Sequence, residues 1–256
     1  MSGPAMTTWR RRAVLAGGVL LVVGWTKGAP YLASLRSQGL AFRDLPDLSP
    51  FRELVSAGAI STGGAIFAGL SDGTPVAPAI LSLRQSVRDD PWTALYGQSR
   101  SRAVPIAVFS DFRCPNCRVM DARLSDVAAE DPEAIRIVRH ELPIFGAPSV
   151  TASRAVLAAE LQGAYRAMYD RLIQTPAVTD RTYIRHLAQE MGIDPERLLR
   201  DMQSDPVTAR LQHSRAVADV FGFIGTPAFA VGHTVFMGTV PTSMLRALIA
   251  TERDTL

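Results

Sequence analysis

Cysteine is nearly absent from this chain: there are two in 256 residues, Cys114 and Cys117, separated by two others. Structural zinc usually takes four ligands, often a second CxxC or a close pair of histidines. Here there is no third cysteine, and His140, His186, His213 and His233 are scattered, so no metal is expected. Runs rich in lysine or arginine are missing beyond Arg10-Arg11-Arg12, and the formal net charge is only +3. That balance leaves no electrostatic footprint for nucleic acid, which is not an expected partner. Repeats and low-complexity tracts are absent too. What is present, 47% hydrophobic and 20% charged residues, is the composition of a globular protein able to bury a sizeable core.

The two cysteines belong to Asp111-Phe112-Arg113-Cys114-Pro115-Asn116-Cys117. Before them, Val104 to Phe109 is a short, nearly continuous apolar run of strand formers. After them, Met120, Leu124, Val127 and Ala128 mark one face of a helix that Asp131-Pro132 ends. The pair therefore sits where a strand hands over to a helix. A first helical turn has unpaired N–H groups and the positive end of the helix dipole, so Cys114 should ionise more readily than a free thiol. Pro115 suits that turn, where its missing N–H matters least. Cys117, one turn on, is close enough to close a disulfide to Cys114. The predicted cycle is thiolate attack on a partner's sulfur, a mixed disulfide, then resolution by the second cysteine. A passive structural disulfide fits less well, because disulfides in exported proteins usually tie distant segments together.

At the amino end, three arginines precede Ala13 to Trp25, an apolar and glycine stretch of 13 residues, followed by Lys27. This pattern reads as an export signal rather than an ordinary spanning helix. Arg11-Arg12-Ala13-Val14-Leu15 partly matches a twin-arginine signal. Pro30 after Gly28-Ala29 is awkward for cleavage, so residues 1–30 are an export signal or a retained membrane anchor. Export places the cysteine pair in an oxidising compartment. Residues 31–100 read as an N-terminal extension serving as packing, partner-binding arm or dimerisation element. Within it are a hairpin around Ser71-Asp72-Gly73, a short helix over Ala79 to Val87, and an aromatic cluster in Pro91 to Tyr96 that packs onto the main domain.

From about residue 101 the punctuation is regular. Ala134 to Arg139 is a second strand, parallel to the first because a helix intervenes. A helical block over about 147–222 follows, with Gly192 and Gly222 as stops and Asp194-Pro195 and Asp205-Pro206 as N-caps followed by proline. Ala228 to Val231 and Thr234 to Met237 form an antiparallel hairpin around Gly232-His233, and Pro241 opens a last helix.

This order, with CxxC at the first helix and Gly225-Thr226-Pro227 before the hairpin, resembles a thioredoxin-like α/β fold with an inserted helical domain over 101–256. More narrowly, the motifs Phe109 to Cys117, Leu142 to Ala159 and Gly225 to Phe229 resemble the DsbA family of thiol-disulfide oxidoreductases. The resemblance implies a cis Pro227 lying against the cysteines. A cis proline turns the chain sharply and lacks an N–H, leaving the Thr226 backbone free to pair with an extended partner chain. Many relatives carry a buried acid six positions before the first cysteine; here that position is Val108. Asp111 is the nearest acid, as a proton relay, a solvated loop carboxylate or a cap. His140, at a strand end, reads as structural rather than catalytic. Phe112, Phe223 and Ile224 are either an apolar rim for substrate or core.

The expected activity is exported thiol-disulfide exchange on cysteine-containing envelope proteins in the periplasm. Cys114 is the nucleophile, Cys117 the resolving thiol, and Pro115, Asn116, Thr226 and Pro227 the substrate-contacting residues. No diffusible cofactor is implied, and a membrane redox partner would recycle the pair. The direction stays open between an oxidase and an isomerase or reductase, and a non-enzymatic, envelope-anchored binding or chaperone module is the rival from another class.

Overall fold

A computed structural model describes residues 40–55, 78–98, 101–175 and 180–255. The expected export segment and the hairpin around Asp72 lie outside the described residues. Among the described residues, no helix is long and apolar enough to cross a membrane.

The centre of the fold is β3 (Val104–Ser110), buried at all seven positions. Such a run is stable only when both faces of the strand are covered. It pairs in parallel with β4 (Ile135–Glu141) and antiparallel with β5 (Ala228–Val231), which pairs antiparallel with β6 (Thr234–Met237). Two earlier strands, β1 (Ala41–Asp44) and β2 (Arg52–Val55), complete a six-stranded sheet in the order β1-β2-β6-β5-β3-β4. β2 runs parallel to β6, Arg52 opposite Thr234. Two strands of the 31–100 segment are thus built into this sheet.

The same segment supplies α1 (Pro78–Asp89) and α2 (Pro91–Tyr96). Asp90 caps α2 by accepting the Thr93 N–H at 2.9 Å. The aromatic cluster packs inward as expected: Trp92 stands edge-on to Tyr96, whose hydroxyl donates to the Gly232 carbonyl at 2.6 Å. One face of the sheet, carrying Ala107 and Phe109, packs into a core with Val87 of α1, Leu95 of α2, Val217 of the long helix α8 described below, and Phe221 just after it. By strand alternation, Ile106, Val108 and Ser110 face the other side.

On that other side lies α3 (Pro115–Glu130), which buries Cys117, Met120, Leu124 and Val127 and ends at Asp131. The inserted block is α4 (Ala147–Glu160), α5 (Tyr165–Gln174), α6 (Arg181–Glu190), α7 (Pro195–Asp201) and α8 (Asp205–Val220). Its own core, including Ala155, Val156, Met168, Leu172, Ile184 and Leu187, is continuous with Phe112, Cys114 and Cys117. Each large aliphatic or aromatic side chain so buried contributes about 1.5–3 kcal/mol. Asp194 caps α7 as expected, accepting from the N–H groups of Glu196 and Arg197. At α8 the expected cap shifts by one residue. Ser204 is the N-cap and Asp205 the first helical residue, because a proline at the second position still suits a helical first turn. Pro241 is the N-cap of α9 (Thr242–Arg253), which buries Leu245, Leu248 and Ile249.

Candidate active site

Register brings the two short motifs together. Phe109 lies opposite Ala228, so Pro227 sits beside the end of β3, from which the Asp111–Cys114 loop departs. The Thr226-Pro227 peptide is cis, as the resemblance implied. Cys114 is the N-cap of α3 and Pro115 opens the helix. The Cys114 thiol donates to the Thr226 carbonyl at 3.3 Å.

Both cysteines are free thiols and both are buried. Their surroundings treat them oppositely. A hydrogen bond from the Cys117 thiol, helped by the neighbouring Thr226 and by the N–H groups of Cys117 and Asn116, brings Cys114 down to about 6 against the opposing effect of burial. The last two donors belong to the first helical turn, where the dipole's positive end also favours an anion, although the Cys117 N–H meets the Cys114 carbonyl at 3.2 Å as well. Cys117 is raised strongly, first by burial and then by its bond to the neighbouring sulfur. This is the arrangement of a nucleophile in its ionised form beside a second thiol held as a proton donor.

Asp111 is neither solvated nor facing the sulfurs as a free acid. It is fully buried, and its two oxygens accept from four donors: the N–H of Arg113 at 2.7 Å, the Ser149 hydroxyl at 2.8 Å, and the N–H groups of Ile144 and Phe145 at 2.7 and 3.1 Å. The carboxylate ties the cysteine loop to the loop between β4 and α4. The expectation of a solvated loop carboxylate is therefore corrected: the side chain is buried and each of its oxygens accepts two hydrogen bonds.

His140 is structural in its contacts. Burial lowers it to about 4, its Nε2 meets the Leu95 carbonyl at 2.9 Å, and its ring stacks on Phe109 at 4.4 Å. Phe112 and Phe223 belong to the core, whereas Ile224 is half exposed. Phe145 is equally exposed and Ile144 partly so, on the loop that Asp111 fastens. Sequence patterning missed these two, since they fall outside any periodic element. Among the described residues, no group of three or more metal-ligating side chains comes together.

A model of the DSBA-like thioredoxin domain matches residues 105–250, more than half of the chain. The chain belongs to this family. Thiol-disulfide oxidoreductase chemistry is what membership implies in general. Among solved structures, this DsbA-like chain is 34% identical to a thioredoxin-like oxidoreductase from Silicibacter pomeroyi, with a TM-score of 0.58 over 64% of this chain and 98% of that one. The catalytic domain of Proteus mirabilis ScsC shares the fold at 23% identity and TM-score 0.57, over 67% and 98% of the two chains. So does the thiol-disulfide exchange protein alpha-DsbA2 of Wolbachia pipientis, at 18% identity and TM-score 0.57, over 69% and 99%. A curated relative of another kind, the Na(+)/H(+) antiporter NhaA of Herminiimonas arsenicoxydans, is 27% identical over 145 residues. That match takes in 57% of this chain and 23% of the antiporter, so the chain spans about a quarter of that relative's length.

Proposed function

We propose that this DsbA-like protein is an exported thiol-disulfide oxidoreductase that introduces disulfides into envelope proteins of the periplasm. Cys114 is the nucleophile and Cys117 the resolving thiol. Pro115, Asn116, Thr226 and Pro227 form the surface against which a substrate's extended chain is held, with the half-exposed Ile224 and Phe145 beside it. A membrane redox partner returns the pair to the disulfide. Residues 1–30 direct export and, where uncleaved, anchor the protein to the inner membrane.

The observation that carries this reading is the Cys114 thiolate, drawn down to about 6 at the start of α3. Stabilising a thiolate stabilises the reduced form, which makes the disulfide the better oxidant.

Equilibration of the Cys114–Cys117 pair in glutathione buffers tests this. The expected reduction potential falls between about −270 and about −120 mV. A value at or below about −270 mV contradicts the oxidase and leaves a reductase kept reduced by its partner.

A further inference from the structure

This inference rests on the reading above, in which an extended substrate chain is held beside Cys114. Apolar side chains left in water together mark a surface that meets a partner. Among the described residues, eight large hydrophobic side chains are exposed, and three of them, Ile144, Phe145 and Val150, lie in the loop after β4 and the start of α4. A fourth, Ile224, stands two residues before Thr226, whose carbonyl accepts from the Cys114 thiol. The others fall singly along the chain.

One buried residue joins this apolar loop to the cysteine loop. The main-chain carbonyl of Asp111 accepts the Cys114 N–H at 3.1 Å. Its Oδ2 accepts the N–H groups of Ile144 and Phe145 at 2.7 and 3.1 Å, while Oδ1 takes the Arg113 N–H and the Ser149 hydroxyl at 2.7 and 2.8 Å. Two consecutive N–H groups drawn to one buried oxygen turn the loop's backbone inward and leave its side chains outward, Phe145 half exposed. Gly146, at φ +82°, then turns the chain into α4, a conformation other residues adopt only under strain. The Val150 N–H closes the first turn on the Gly146 carbonyl at 3.2 Å. Released from Asp111, the loop would be free to fold its apolar side chains away from water.

We propose that Asp111 is a positioning residue for substrate: its hydrogen bonds hold Ile144 and Phe145 outward beside the Cys114 loop, a preformed seat for an apolar side chain next to the reacting cysteine of an extended chain. A seat ordered in the free protein removes the ordering cost from each binding event. Asp111 takes no part in the exchange itself. The substrate thiolate attacks Cys114 Sγ, and the Cys114–Cys117 bond breaks. The second substrate thiol then displaces Cys114. The substrate leaves as a disulfide, and its two electrons and two protons remain with Cys114 and Cys117 as thiols.

The test uses the full chain in its disulfide form and two synthetic dithiol peptides, alike except that phenylalanine flanks the attacking cysteine in one and serine in the other. Single-turnover oxidation at rising peptide concentration gives a half-saturating concentration and a limiting rate. With the parent, the phenylalanine peptide is expected to half-saturate at a concentration about tenfold lower than the serine peptide. Phe145→Ser, and Asp111→Asn, which sets an amide N–H against the loop's donors, each erase most of that preference, while the limiting rate falls far less. Combining them adds little to either alone, because Asp111 acts through the loop. Ser149→Ala, which removes one of the four bonds, weakens the preference about twofold and keeps the test open should Asp111→Asn not fold. A preference retained in both Asp111→Asn and Ser149→Ala, or a loss that adds in full to that of Phe145→Ser, overturns the inference. So does a parent that oxidises both peptides with equal half-saturation. A parent that oxidises neither peptide overturns the exchange reading itself, and the inference with it.

Discussion

Cys114 and Cys117 lie within one helical turn and differ almost only in what surrounds them. Cys114 is at the helix start, where the Cys117 thiol and the N–H groups of the first turn favour its ionised form. Cys117 is one turn deeper, against the end of β3 and the inserted helices, where burial dominates. The same element therefore yields an ionised sulfur at its mouth and a protonated one at its floor. Depth along the helix axis, rather than any difference between the residues, sets which sulfur attacks and which waits.

The largest expected effect comes from exchanging the roles. Cys114→Ser abolishes reduction of insulin disulfides, because the remaining thiol is buried and protonated. Cys117→Ser keeps the attacking thiolate and accumulates a mixed disulfide with substrate, visible as a reducible adduct on non-reducing electrophoresis.

Next in size is the support for the mouth. Asp111→Ala removes the acceptor for four donors, three of them on the loop and helix that follow β4. Leaving such buried donors unpaired costs about 3 kcal/mol or more, read as a lowered midpoint of chemical denaturation. Asp111→Asn retains one acceptor oxygen and loses less.

The smallest effect is a pH dependence confined to the reduced protein. The Cys114 position is depressed in the folded state from 9.0 to about 6, so between those values the unfolded chain binds more protons than the folded one. Stability of the dithiol form therefore rises with pH from about 6 to about 9 and is lost as pH falls through about 6. After solvent screening of a site at the helix mouth, the contribution is about 2 kcal/mol. The disulfide form, lacking both thiols, shows none of it, so the difference between the two denaturation curves isolates the effect.

Much of the fold was legible in the sequence because its elements are locally determined. The apolar run of β3, the Asp194-Pro195 start of α7 and the glycine stops at Gly192 and Gly222 are short-range signals, and each element formed there. The cysteine motif and Gly225-Thr226-Pro227 were equally plain, though only the register of Phe109 against Ala228 explains why they meet. What stayed hidden depends on distant partners. Asp111 reads as a loop acid until Ile144, Phe145 and Ser149, more than 30 residues on, close over it. The strands at 41–55 were invisible for the same reason: β2 is ordered by β6, some 180 residues later.

The most direct test of the account is the ultraviolet absorbance of thiolate in the reduced protein, followed against pH with Cys114→Ser and Cys117→Ser beside the parent. The account predicts one thiolate appearing with a midpoint near 6, absent from Cys114→Ser, and no second thiolate through pH 9.0. Two thiols titrating together near 9.0, the ordinary value, would contradict it.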